Sequence, residues 1–170
     1  MITNRFNYSK ALEVLLYVSS KVGYMYHTGK IIYFANRYHL EKYGRFVIDD
    51  RVIAMKNGPV LSNIYDMIKS ARGDNCNYPE VKKYLTYLSS GSSLHKLVPK
   101  READMDYLSD SDIECLNEAI EKIKGMSFND LESFSHDDLY YTADQNNEIS
   151  IDEIINHSIH SDTLRKYLAG

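Results

Sequence analysis

Apolar positions recur at helical spacing near the start of the chain. Ala11, Leu12, Leu15, Leu16 and Val22 share one face, and Val14, Tyr17 and Val18 add apolar surface around it. A helix apolar on several sides is a core helix, so residues 8 to 22 are predicted to form a central one, closed by Gly23. A second helix is expected from Thr28 or Lys30 to Tyr43, with Ile31, Ile32, Phe34, Ala35 and Tyr38 turned inward and Gly44 as its stop. The runs Arg45 to Ile48 and Arg51 to Met55 are β-branched or apolar and flank Asp49-Asp50, which predicts a hairpin. Asn57-Gly58-Pro59 then turns the chain. Ser62 is the expected N-cap of a third helix, whose apolar positions Ile64, Tyr65, Met67, Ile68 and Ala71 repeat at helical spacing.

Beyond Ala71, residues 72 to 79 read as a polar loop, 80 to 88 as a short helix and the S-S-G-S-S stretch at 89 to 93 as a turn. Leu94 to Pro99 is the expected third strand, with Pro99 at an edge or end. Three Ser-x-x-acid patterns follow: Ser109 with Asp112, Ser127 with Asp130 and Ser150 with Glu153. Each predicts a helix start, and the longer Glu153 makes the last the full capping box. Helices are expected at 110 to 124, 128 to 135, 151 to 158 and 162 to 168, while 137 to 148 carries no clear pattern. These elements add up to an α+β fold, mainly α-helical, in a single compact domain spanning residues 1 to 170. Its small antiparallel sheet of two or three strands is drawn from residues 45 to 56 and 94 to 98.

A chain of 170 residues, 44% apolar and 26% charged, is enough for one compact core. The N-terminus lacks the apolar run of a secretory signal and no stretch has the ~20 apolar residues of a membrane span, so a soluble cytoplasmic protein is expected. Cys76 and Cys115 have no CxxC spacing and read as ordinary thiols. The net charge of −4 hides a division: residues 1 to 99 hold 14 Lys and Arg against 7 Asp and Glu, and residues 100 to 170 hold 6 against 17. The halves either pack on one another through complementary charge or present a bipolar surface to a charged partner. An acidic half repels phosphate, which disfavours nucleic acid as a partner, although Arg37, Lys42, Arg45, Arg51 and Lys56 could form a local basic stripe.

Candidate chemistry is sparse. His39 sits on the inner side of the second helix, and its two readings are a general base or a histidine bonded to backbone at the end of that helix. His136, in F-S-H-D-D, pairs in sequence with Ser135, but no nucleophile elbow accompanies either histidine. His157 and His160 lack the H-E-x-x-H pattern, the acids from Asp137 to Glu148 lack calcium-loop spacing, and Gly58-Pro59-Val60 is not a phosphate loop. Neither a metal site nor a cofactor site is expected. Tyrosine is abundant, with 15 copies and no tryptophan, and its amphipathic ring suits protein interfaces.

The stretch from Tyr33 to Tyr65 has a further property. Tyr33, Ala35, His39, Leu40, Tyr43 and Gly44, then Ala54, Gly58, Pro59, Val60, Ile64 and Tyr65, stand at the spacing of "L-Y-x-A-x-x-x-H-L-x-x-Y-G" running into "A-x-x-x-G-P-V-x-x-x-I/V-Y". This resembles the signature of the Panacea domain family, the SocA-like antitoxins, whose phage-associated members are called GepA-like. The family's later Ser-His pair is matched by Ser135 and His136, with Tyr140 and Tyr141 where a tryptophan is usual. The resemblance implies a non-enzymatic antitoxin, encoded in a bacterium or prophage, that neutralises a cognate toxin by direct contact, with a cytoplasmic protease as a further partner where the family member is a proteolytic adaptor. Alternatives are a phage-encoded inhibitor of a host defence protein and a small hydrolase using His39 and His136. Charge and tyrosine content nominate Tyr43, Arg45, Lys56 and Tyr65 as partner-binding residues.

Overall fold

The computed structural model describes residues 5–74, 77–90 and 94–170. Cys76 and the centre of the turn expected at 89 to 93 lie outside the described residues. Seven helices are present in this part of the chain: α1 (Tyr8–Lys21), α2 (Met25–Tyr43), α3 (Ser62–Arg72), α4 (Asp110–Ile123), α5 (Phe128–Ser135), α6 (Ile151–Asn156) and α7 (Ser161–Ala169). Five strands accompany them: β1 (Val52–Met55), β2 (Gly58–Leu61), β3 (Leu85–Ser90), β4 (Leu94–Pro99) and β5 (Glu148–Ile149). The fold is α+β and mainly helical, with antiparallel sheets ordered β2-β1-β5 and β3-β4. No helix among the described residues is long and apolar enough to cross a membrane.

At the centre lies α2, which packs on α1, α3, α4 and α5. Ile31, Ile32, Tyr33, Phe34, Ala35 and Leu40 are all buried in one continuous core with Leu15 and Leu16 of α1, Met67 of α3 and Leu116 of α4. Both α1 and α2 are covered on more than one side, which is why their apolar pattern exceeds one stripe.

The hairpin falls elsewhere than expected. Its strands are β1 and β2, paired Val52 with Leu61 through Met55 with Gly58, so the chain reverses at Lys56-Asn57. Arg45 to Ile48 has strand-like composition but no strand partner, because α2 satisfies its backbone first. Asn36 donates from Nδ2 to the Ile48 carbonyl at 2.8 Å and accepts from the Ile48 N–H at 3.0 Å. His39 Nδ1 takes the Arg45 carbonyl at 2.8 Å. Asp50 is likewise not a turn residue but a cap supplied from a distance. Its carboxylate accepts from the N–H groups of Asn63 (3.0 Å) and Ile64 (2.9 Å), donors that an α3 helix following Leu61 leaves unpaired. Ser62, the expected cap, is instead the first residue of α3.

Residues 80 to 88 were also expected to be helical. A 3-10 turn at Pro79–Lys83 starts there, but Leu85–Ser90 becomes β3 and pairs with β4 from Leu85 with Pro99 to Ser90 with Leu94. The 94 to 98 strand therefore joins its sequence neighbour and not the 45 to 56 region, as short connections favour. Two residues of the unclear segment, Glu148 and Ile149, supply the third strand of the other sheet, against Ile53 and Val52. All three Ser-x-x-acid starts are helix starts, but the reciprocal capping box forms at Ser109 and Asp112. Glu153 turns its carboxylate toward His157 Nδ1 (3.7 Å), while Ser150 accepts from the Glu153 N–H (3.2 Å).

Candidate partner-binding site

The β1–β2 turn is held by side chains in an unusual way. Four carbonyls around it each take a side-chain donor: Met55 from Tyr140 Oη (2.6 Å), Lys56 from the His136 ring (Nε2, 3.0 Å), Asn57 from Tyr26 Oη (2.6 Å) and Pro59 from Lys30 Nζ (2.8 Å). Backbone carbonyls left over by the ladder take other partners, and here α2 and the segment after α5 provide them. Burial pushes the Tyr26 phenol up to about 12, which keeps it a donor. Burial also pushes the Lys30 amine down to about 7, with Glu132 opposing the shift.

Gly58 is required by this packing. Its φ is +116°, and a Cβ there would stand 2.4 Å from Ser135 Oγ and 3.0 Å from Lys30 Cε. Lys56 and Asn57 at the tip are exposed, while Gly58 and Pro59 are buried. The turn thus presents a fixed tip at the surface.

Beside that tip opens a cleft of about 310 Å3. Met25, Tyr26, Met55, Tyr65 and Phe128 give it an apolar lining, and Lys56, Arg72 and His95 its polar groups. A second cleft of about 400 Å3 shares Met25, Tyr26, His95 and Phe128 with the first and continues past Tyr24 and His27. Phe128 packs at a tilt against Tyr26 with ring centres 4.4 Å apart.

Of the nominated residues, Lys56 and Tyr65 line this cleft together. Tyr43 and Arg45 do not. Met25 and Tyr43 are the end residues of α2, and its length at ~1.5 Å per residue separates them by about 27 Å. Tyr43 is bonded to Glu114 through its hydroxyl. Arg45 Nη1 pairs with Asp112 Oδ1 at 3.0 Å, and its other nitrogen reaches Ser109 at 3.0 Å and Ser111 at 3.3 Å. The basic stripe is largely dissolved by such pairs: Arg37 binds Asp137 (2.6 Å) and Lys42 binds Glu118 (2.5 Å). Lys10, Arg37, Lys42 and Arg45 of the first half thus pair with acids of the second.

His39 is fully buried, and its ring is fixed by two bonds. Nδ1 donates to the Arg45 carbonyl, so Nε2 accepts from Ser111 Oγ at 2.9 Å, with Asp112 Oδ1 3.6 Å from the same nitrogen. Burial lowers its proton affinity. Neither cleft includes Ser111 or His39. His136 faces the Glu132 carbonyl with Nδ1 (2.6 Å) and the Lys56 carbonyl with Nε2, and Ser135 Oγ donates to Glu132 O at 3.0 Å. Both residues are committed to the turn. Sequence reasoning did not single out Lys30, Met25 and Phe128 as site residues, and it noted Tyr140 only as standing where the family usually has a tryptophan. Lys30 left one trace, since it shares a helical face with Phe34 four residues on, where a lysine is out of place.

The clamp explains the signature positions physically: Gly58 and Pro59 seat on Lys30 and Ser135, and His39 closes α2 onto the next segment. Comparison with curated proteins and with solved structures returned no match. The family model described as "Antitoxin SocA-like, Panacea domain" matches residues 29–139, a span that runs from α2 through the clamped turn and α4 to the His136 segment. With well over half of its length matched, and with the matched residues taking in most of the central helix, the β1–β2 turn and two of its four donors, Lys30 and His136, the chain belongs to the SocA-like antitoxin family, the Panacea domain.

Proposed function

We propose that this protein is the antitoxin of a bacterial or prophage toxin-antitoxin pair, that it acts in the cytoplasm, and that it neutralises its cognate toxin by direct contact without catalysing a reaction. The observation that supports contact is the rigid turn tip next to the open cleft of Lys56 and Tyr65. Four immobilised carbonyls remove the ordering cost that a loose loop would incur on binding. The toxin-facing residues in this reading are Lys56 and Tyr65, while Tyr43 and Arg45 support the α2–α4 junction.

Co-expression with the neighbouring gene, reading growth and co-purification, tests it. Rescue together with a stable complex is expected; rescue with no complex, or with loss of the toxin through a protease, would move the reading toward an enzyme or an adaptor. Absence of rescue would sink toxin neutralisation and favour a host defence protein as target.

A second reading, a small hydrolase, draws on one observation, the 2.9 Å contact of Ser111 Oγ with His39 Nε2. Ser111→Ala removes the one hydroxyl bonded to that ring among the described residues, and circular dichroism should report a retained fold. The binder keeps full rescue in this variant; an enzyme would lose it.

A further inference from the structure

The two clefts beside the β1–β2 turn are lined by apolar side chains and by Lys56, Arg72, His27 and His95. No Asp or Glu is among the described residues that line either one. Lys56 has no carboxylate partner among the described residues, and Lys96, just outside both linings, lies over the ring of Tyr24 (5.2 Å), which lines the second cleft. Arg72 gives one nitrogen to Asp74 at 2.5 Å, and its Nε is buried with no acceptor. His27, only 7% exposed and part of the second cleft, binds the Met126 carbonyl through Nε2 (2.7 Å) and leaves Nδ1 unpartnered. By contrast, Lys10, Arg37, Lys42, Arg45 and Arg101 all pair with acids.

Between these groups the lining is apolar and adaptable. Tyr24 and Phe128 are 41% and 45% exposed, with methionines beside them. Exposed aromatics next to flexible thioethers are the composition of an anchor pocket for apolar side chains.

We propose that this continuous cleft binds an acidic, amphipathic segment of a protein partner. Its apolar side chains seat among Met25, Tyr26 and Phe128, and its carboxylates meet Lys56 at the tip and Lys96 at the rim. The inference rests on the antitoxin reading only for calling that partner the toxin. A nucleic acid fits less well, since the cations are few and the second half of the chain, with 6 basic against 17 acidic residues, repels phosphate. A segment of opposite charge gains steering as well as contact.

The test is selection of a random 12-residue peptide library displayed on phage against the purified protein, followed by fluorescence titration of the enriched peptides. Asp and Glu flanking Leu, Phe or Met are expected in those peptides. The double variant Lys56→Glu/Lys96→Glu and the variant Phe128→Ala each weaken binding at least tenfold, higher salt weakens it, and Tyr167→Ala, at the far end of α2, leaves it unchanged. Lys56, Phe128 and Tyr167 are exposed and Lys96 is half-buried on a strand, and circular dichroism should report an unchanged fold. Peptides without acidic bias, no enrichment, or affinity indifferent to these substitutions would overturn the proposal. So would a wild-type dimer in size exclusion that Lys56→Glu/Lys96→Glu breaks, because the cleft would then be closed by a second copy. Because the selection needs no toxin, acidic peptides bound in the cleft with no rescue of growth would sink the antitoxin reading alone.

Discussion

A lysine at the base of the β1–β2 turn shows how one residue ties packing to pH. Lys30 is 2% exposed, donates to the Pro59 carbonyl and lies 5.0 Å from the Tyr26 ring centre. Its amine falls from the ordinary 10.5 to about 7 because burial disfavours the charge. Between those values the unfolded chain holds the proton and the folded chain does not, so stability rises with pH across that window. The slope approaches ~1.4 kcal/mol per pH unit. Below pH about 7 both states carry the proton and the slope ends. Denaturant unfolding of wild type and Lys30→Met at pH 7, 8 and 9 should show the rise in wild type only; parallel curves would refute it. The substitution also leaves the Pro59 carbonyl without its donor, which loosens the turn. Lys30 was invisible to composition because a lysine in sequence carries no mark of burial beyond its helical face.

At the scale of elements, α3 begins without a capping side chain of its own and borrows Asp50, twelve residues before Ser62. Asp50 is 7% exposed and its oxygens accept from Arg51, Asn63 and Ile64 backbone N–H groups and from the Asn63 amide. Replacement by alanine leaves buried donors unsatisfied, at about 1–3 kcal/mol for such a loss. Asp50→Ala should therefore lower the thermal midpoint markedly and Asp50→Asn less, since the amide oxygen retains part of the set. Calorimetry showing equal midpoints for all three proteins would dismiss the cap. The neighbouring Arg45 to Ile48 segment makes the same point from the other side. Its residues favour a strand, yet Asn36 and His39 occupy its backbone groups and no ladder forms.

Across the whole molecule, Asp112 joins three helices. It is 1% exposed, binds Lys10 of α1 (2.9 Å) and Arg45 after α2 (3.0 Å), closes the capping box of α4, and stands 3.6 Å from His39. Burial would push its carboxyl up, but the Ser109 N–H, Lys10 and Arg45 outweigh that and hold it below the ordinary 3.8. Burial holds His39 below the ordinary 6.5. Both groups bind protons more readily unfolded, so the stability they contribute is present at neutral pH and is lost as pH falls. The loss begins below about 6.5 for His39 and below about 3.8 for Asp112. Thermal midpoints from pH 7 to pH 3 should fall in both windows, and His39→Gln should flatten the upper one alone. An upper limb unchanged in His39→Gln would exclude this histidine as its source.

The same network marks the boundary between sequence and structure. Apolar spacing by itself determined α1, the body of α2 and α3, and serine followed by an acid determined the starts of α4, α5 and α6, because these signals act within a turn or two of helix. The Tyr33 to Tyr65 signature likewise determined the family. Tertiary structure alone decided where the hairpin reverses, which strand pairs with β4, and that two short C-terminal strand residues complete the β1 sheet. It also separated Lys56 and Tyr65 from Tyr43 and Arg45, placing the first pair beside the β1–β2 turn and bonding the second pair to α4 at the other end of α2, where Tyr43 lines a different cleft. The physical reason is competition for backbone and charge partners: a carbonyl, an N–H or a carboxylate takes whichever donor or acceptor folding brings within 3 Å or so, and that choice is made by residues far away in sequence.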